Sequence, residues 1–367
     1  MLPYEDIDGW IQPPGMADKP LDLTVEIAPK ARFDLVDLRQ TFAAEHSALA
    51  AFPQCLYWSC HTTAGFLDRS LASRLRAQHI PSYLEALRTI FPEGAGYEHD
   101  RLEARADLEA SQRAVEPRNA DSHLAFMAGG LHTCVTHPNA PTEHVFFVDL
   151  DGVNEGRPRR RRTRLIGFNA ERHVASTRIE VPMSSHAVDS INLKDPEVGV
   201  YPQLLDFVRR SGVERGRLRV ALDPGERHSG ITVNEYETLL MRHDLAEVLA
   251  NPIRFAAEKY RHVMANPLAV PAKTLDYAKY DLVQVMNKAL DRLGLRGSVI
   301  EKVLARTLAV PAARFFRMRR SVNLLVASGD DGDPTIVEGP YQSPILVQWR
   351  NAPRSRRVVD VSLAELQ

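Results

Sequence analysis

The order in which its motifs recur constrains this chain more than any single motif does. Asp34-Leu35-Val36-Asp37-Leu38 is followed by the apolar run Cys55-Leu56-Tyr57-Trp58 and then by the small-residue stretch His61-Thr62-Thr63-Ala64-Gly65. Later, Leu204-Leu205-Asp206-Phe207-Val208 precedes an apolar stretch over 217–222 and the turn Glu226-Arg227-His228-Ser229-Gly230. A pair of apolar stretches about Phe146 and Leu165, with arginines between them, matches 344–348 and 356–359. Self-similarity in a fixed order is the mark of a repeated structural unit. The chain is therefore expected to be a divergent tandem repeat. An N-terminal arm covers 1–20, a first copy 21–180 and a second copy 190–367, with a linker at 196–202.

Local patterning fills in each copy. Leu23-Thr24-Val25-Glu26-Ile27 alternates as a strand does, within a strand expected over 21–33. Leu35, Leu38, Phe42 and Leu49 recur at helical spacing, which predicts a helix over 34–51 ended by Pro53. Residues 55–59 read as a strand, 66–90 as helix broken at Pro81, and 101–116 as an exposed polar loop or helix. A short helix is expected from His123 to Ala128, ending at Gly129-Gly130. Strands follow at 145–148 and 164–168, joined through Asp151-Gly152. In the second copy, 253–325 reads as a mostly helical insert.

Composition narrows the class. Apolar residues make up 44% and charged residues 25% of 367, an ordinary globular balance. A net charge of −1 gives no overall attraction to nucleic acid or anionic membrane. No apolar run reaches the ~20 residues of a membrane helix, and residues 1–20 lack the basic and apolar regions of a signal peptide. Three cysteines make no disulfide framework, so a reducing cytoplasm is expected. There is no Walker loop, dinucleotide glycine fingerprint or CxxC.

At its histidine motifs the chain resembles the YjbQ family. The first half carries His61-Thr62-Thr63-Ala64, Tyr97-Glu98-His99-Asp100 and Ser122-His123-Leu124 in the family's order and spacing. Arg69-Ser70 stand where the family has Asn-Glu, and His144-Val145 stand nearest its Trp-Gln. The second half carries the complement: Asn234-Glu235, Arg242-His243-Asp244, Tyr341-Gln342 at Trp-Gln, and Ser355-Arg356-Arg357. Glu226 replaces its first histidine. The resemblance implies an α+β fold of two YjbQ-like repeats, antiparallel sheets with flanking helices, packed as a pseudo-dimer. It also implies a homo-oligomer and a secondary thiamine-phosphate synthase activity, joining a pyrimidine-methyl diphosphate to a thiazole phosphate. That reaction expels diphosphate and needs cationic stabilisation of the leaving group.

The residues themselves leave several chemistries open. Imidazole titrates near neutrality and binds divalent metals, so His61, His99 and His123 are candidate catalytic groups. They are also candidate ligands of a divalent metal, Mg or Zn, the one cofactor considered. The bland reading is that one or two are satisfied structural histidines. Asp100 either orients an imidazole or caps a helix. Thr62, Thr63 and the Ala64-Gly65 backbone are a candidate anion cradle, with Asn119, Ser122, Asn234 and Arg356 as further substrate-binding candidates. Arg157, Arg159, Arg160, Arg161, Arg162 and Arg164 form the densest charge run, read as a solvated hairpin from which one or two arginines can reach a pocket. Nucleic acid is disfavoured, because no aromatic residues interleave with the run. His132, Cys134 and His137 are a weak metal pattern. Three readings follow: an enzyme on a small anionic or phosphorylated heterocycle, a specialised acid–base condensing or lyase-type enzyme, or a non-catalytic ligand-binding or scaffold protein. The motif balance favours a His61 pocket complete in the first half over a composite site with Glu235 as base. His61 is then expected to matter more than Glu235.

Overall fold

The computed structural model describes residues 19–154, 156–250, 255, 258, 259, 262 and 318–367. Nearly all of the N-terminal arm and most of the expected insert over 253–325 lie outside the described residues. Within that expected insert, however, residues 321–325 are strand, not helix.

The first half runs β1 (Leu21–Ile27), β2 (Asp34–Asp37), the short helices α1 (Leu38–Thr41) and α2 (Ala43–Ala48), β3 (Gln54–Ser59) and β4 (Ala64–Phe66). It continues through α3 (Arg69–Ile90), α4 (Ala110–Arg113), α5 (Ala120–Gly129), β5 (Cys134–Pro138) and β6 (Phe146–Asp149). A two-residue pair, β7 (Val153–Asn154) and β8 (Arg157–Pro158), leads into β9 (Arg161–Phe168). The second half has β10 (Glu171–Pro182), β11 (Asp189–Asn192), α6 (Val200–Ser211), β12 (Arg215–Leu222) and β13 (Ser229–Asn234). A π-turn (Leu240–Asp244), α7 (Leu245–Ala250), β14 (Ser321–Ser328), β15 (Pro334–Val337), β16 (Ser343–Gln348) and β17 (Arg356–Leu366) complete it.

Two sheet orders recur. The larger sheet of the first half is β1-β9-β3-β5, and that of the second is β10-β17-β12-β14-β15. The smaller sheets are β2-β6-β4 and β11-β16-β13. Taken in chain order, the strands occupy the same places in both halves, and every pairing in these four sheets is antiparallel. The fold is α+β, with antiparallel sheets and flanking helices. β10, counted with the first half on sequence grounds, pairs along its length with β17. The stretch at 196–202 is no free linker either: Val200 starts α6, and the Tyr201 N–H donates to the Leu193 carbonyl.

Side-chain alternation explains how the layers stack. On β3, Cys55 and Tyr57 face a core shared with Val25, Leu38 and Phe147, whereas Leu56 and Trp58 face Ile166, Leu325 and Leu366. β3 is apolar on both faces because it is covered on both, one cover coming from the second half. The same split occurs on the smaller sheets: Phe146 and Val148 of β6, with Ile345 and Val347 of β16, line one common core. Into that core are packed α3, α7 and α5, every residue of α5 being buried.

Several local expectations change. Asp34–Asp37 is strand rather than helix, because it pairs with β6. Pro81 sits inside one continuous helix, α3. Gly130 takes φ +59°, the left-handed turn expected at the end of α5.

Candidate functional site

α5 brings His123 into the core shared by the two halves, and the segment after α3 brings His99 beside it. Their ring centroids lie 5.4 Å apart at 71°, edge to face. Both rings are buried, at 0% and 1% exposure. The groups that hold them come from the second half. The end of β13 supplies Asn234, and the turn after it supplies Glu235 and Glu237.

Hydrogen bonding fixes the protonation pattern. The Asn234 Nδ2 donates to the Thr62 carbonyl at 3.0 Å, which leaves its Oδ1 to accept from the Glu235 N–H at 2.8 Å and from His123 Nδ1 at 2.7 Å. The proton of a neutral His123 is therefore on Nδ1, and the lone pair of Nε2 faces Glu235 Oε2 at 3.6 Å. His99 Nδ1 donates to Glu237 Oε2 at 2.9 Å, while its buried Nε2 has no hydrogen-bond partner among the described residues. Glu237 also accepts from the Leu239 and Leu240 amides. Asp244 holds the backbone beneath His99 by accepting from the Glu98 and His99 amides at 3.0 and 2.9 Å.

These contacts separate the two imidazoles in charge. Burial pushes His123 down to about 3, and the neighbouring His99 charge adds to the effect. Burial, the largest single effect, works the same way on His99, but the hydrogen bond to the Glu237 carboxylate and the charges of Asp100 and Glu235 together outweigh it and raise His99. For Glu237, burial is outweighed by the bonds from His99 and two amides, and its carboxyl is held down. Glu235 is pushed up by burial against the pull of His99 and Arg105. Its side chain is 16% exposed, so it is the member of the cluster that meets solvent.

Arg105 ties this cluster to a cleft. Its guanidinium, 2% exposed, lies 3.5 Å from Glu235, 3.8 Å from Glu237 and 3.4 Å from Glu116. Glu116 lines a cleft of about 490 Å³ with Leu102, Arg113, Arg118, Arg157 and Arg159. Arg113 is held by the carbonyls of Arg105 and Leu108. Arg159 pairs with Asp151 at 2.8 Å, and its charge adds to the lowering of both His123 and His61.

The other expected site residues are placed as follows. His61 borders the same basic region without joining the imidazole pair: its Nε2 accepts from the Arg162 N–H at 3.0 Å, and burial lowers it to about 3. Three histidines around a metal are not formed, for among the described residues no group of three His, Cys, Asp or Glu could hold an ion. The donor set does not fit a divalent metal. Asp100 caps α5, its Oδ1 accepting from the Ala120 N–H at 3.0 Å, and it does not orient His99. Thr62 serves Asn234 through its carbonyl, and the Thr63 hydroxyl accepts from Arg161. The expected cradle is not open, since residues 64–66 are β4, and a Cβ on Gly65 would meet the His132 carbonyl at 2.4 Å. Asn119 donates to Asp151 and Ser122 to the Leu150 carbonyl, both at the edge of α5. Arg356 lies outside the site, on the surface with Glu180.

Of the arginine run, Arg161 is buried against Asp149 through two bonds of 2.7 Å, Arg160 faces solvent beside Glu26, and Arg157 and Arg159 reach the cleft. His132 and His137 are split between Asp68 and Glu143, and Cys134 faces the sheet interface. Sequence reasoning missed Arg105, Glu116 and Glu237, and it named Asp244 only within the Arg242-His243-Asp244 motif, without a role beneath His99. The one available signal was Glu237, two residues beyond Glu235 in a segment already singled out.

No family model matches the chain, and no curated protein matches it. Among solved structures it is similar to a YbjQ-like protein of unknown function from Sulfolobus solfataricus, at 16% identity and a TM-score of 0.29. The match covers 53% of this chain and 99% of that one. A hypothetical protein from Aeropyrum pernix matches at 16% and 0.30, over 41% and 99%. An uncharacterized conserved protein of the YjbQ family from Clostridium acetobutylicum matches at 17% and 0.24, over 52% and 99%. At these scores the description of the fold rests on the chain's own strand order.

Proposed function

We propose that this protein is an enzyme that moves a proton on a small anionic substrate, with Glu235 as the group that meets the substrate. The observation that carries the reading is the commitment of His123: with Nδ1–H given to Asn234, its Nε2 lone pair is left facing a carboxyl that burial has pushed up. A raised carboxyl beside a neutral imidazole is suited to giving and taking a proton near neutrality. His123 and the His99–Glu237 pair act through Glu235 and are positioning residues, since both rings are closed to solvent.

The cleft arginines supply the substrate's other requirement. Arg113, Arg118, Arg157 and Arg159 against one Glu116 leave a basic wall suited to a phosphate or diphosphate. The first reaction to test is the one the family resemblance suggests. In it the thiazole nitrogen attacks the pyrimidine methylene, a C–N bond forms as the C–O bond breaks, and diphosphate leaves into the arginine cleft carrying a proton given up by the Glu235 carboxyl.

The test is turnover of a pyrimidine-methyl diphosphate with a thiazole phosphate, followed by diphosphate release. Glu235→Gln is expected to cut kcat by about 10²–10⁴-fold, the usual share of general acid–base catalysis. His61→Ala should cost far less, the reverse of the order expected from the motifs. If a folded Glu235→Gln variant keeps wild-type turnover, the assignment of Glu235 fails. If wild type releases no diphosphate yet binds either substrate with an affinity that Arg157→Gln weakens, the thiamine reaction fails and the anion cleft stands.

A further inference from the structure

A second cavity, of about 620 Å³, lies in the other half, with Glu226, Arg227, Met318, Arg320 and Trp349 in its lining. It sits at the connection from β12 to β13, the place that residues 60–63 hold between β3 and β4. The two places have been built differently. In the first half Arg161 opens β9 and is neutralised by Asp149, the last residue of β6. In the second, Arg357 near the start of β17 meets Gln348, the last residue of β16, which carries no charge. Glu226 neutralises Arg357 instead, at 2.8 Å, and its second oxygen accepts from the Val358 N–H. Glu226 is thereby fully committed.

Two further guanidiniums line the cavity without a carboxylate contact. Among the described residues Arg320 donates only to the carbonyls of Glu226 and Asp223, and Arg227 is exposed with no ion pair. Ser229 Oγ and Trp349 Nε1 are both closed to solvent, so they stand behind the wall and not on it. The charges left unmatched at the cavity are therefore cationic, beside the apolar indole.

We propose that this cavity is a second ligand site, distinct from the Glu235 cluster, and that it takes a small phosphate monoester carried on a planar apolar ring. Two guanidiniums without a carboxylate contact match the double charge of a phosphate monoester better than the single charge of a carboxylate. The indole and Met318 side chains offer the ring its apolar surface. The volume is in the range of small-molecule sites.

The experiment follows the indole N–H resonance of Trp349, assigned by its loss in Trp349→Phe, while the full chain is titrated with phenyl phosphate, benzoate or inorganic phosphate. A saturable shift is expected with phenyl phosphate, with weaker binding of the other two. Arg227→Gln or Arg320→Gln should weaken phenyl phosphate by about tenfold, the scale of one charge-assisted contact. Arg157→Gln, in the other cleft, should leave that affinity unchanged. Arg227 is exposed and unpaired, so its variant is expected to fold even if that of Arg320 does not. The proposal is overturned by the absence of a saturable shift, by equal affinity for phenyl phosphate and either control, or by weakening in Arg157→Gln but not in Arg227→Gln.

Discussion

With its amide nitrogen given to Thr62 and its oxygen accepting from the Glu235 N–H, Asn234 can meet His123 Nδ1 only as an acceptor. One uncharged side chain thus decides which imidazole nitrogen stays free. The neighbouring ring is controlled by charge instead. His99 has a raised folded pKa, so its contribution to stability is complete below its ordinary 6.5 and is lost as pH rises through the raised value. Glu237 has a lowered pKa, so its contribution is complete above its ordinary 4.5 and is lost as pH falls through the lowered value. The pair therefore supports the fold most between those two limits. Glu237→Gln should lower the His99 pKa, read from its ring-proton NMR titration, and cost about 1–3 kcal/mol at pH 6. An unmoved His99 titration would show that the carboxylate does not set it.

At the scale of elements, α5 is a helix with no outer face. All ten of its residues, Ala120–Gly129, are buried, so its ends must be satisfied within the protein. Asp100 does this at the N-terminus and Gly130 closes the C-terminus. Asp100→Ala should therefore cost about 1 kcal/mol by thermal melting, as caps do, and Asp100→Asn, which keeps an acceptor for the Ala120 N–H, should cost less. Equal losses would mean that Asp100 supplies its charge and not the cap. The pairing of β10 with β17 is a similar case. Alternation along 171–182 marks a strand, but neither residue type nor period says which of two similar sheets it joins.

Across the whole molecule, the halves are joined through two apolar layers, one between the larger sheets and one around α3, α5 and α7. The loop before β16 lies tight against the first half: a Cβ on Gly339 would meet the Cys60 carbonyl at 2.1 Å, and Gln342 donates to the carbonyls of Ser59 and His61. Gly339→Ala forces backbone against backbone across that junction and should cost about 1–3 kcal/mol, as overpacking does. Because the cores are shared, unfolding followed by near-UV and far-UV circular dichroism should coincide, in wild type and in this variant. Two separated transitions would mean that the halves are stable independently.

Sequence alone determined many of the sheet-forming stretches and the recurrence of one strand plan, because periodicity and turn chemistry are local properties of the chain; the α+β class came with the family resemblance. It also singled out His99, His123, Asn234 and Glu235. What only the tertiary structure decided was how they combine. Residues more than a hundred positions apart, such as His123 and Asn234 or His99 and Glu237, meet where two sheet pairs dock. Burial there sets their charges, and burial is a property of packing. The same docking turned His61 toward Arg162 and Asp100 toward α5, and it buried Arg105, a residue that in sequence lies in a charged stretch with every mark of solvent exposure.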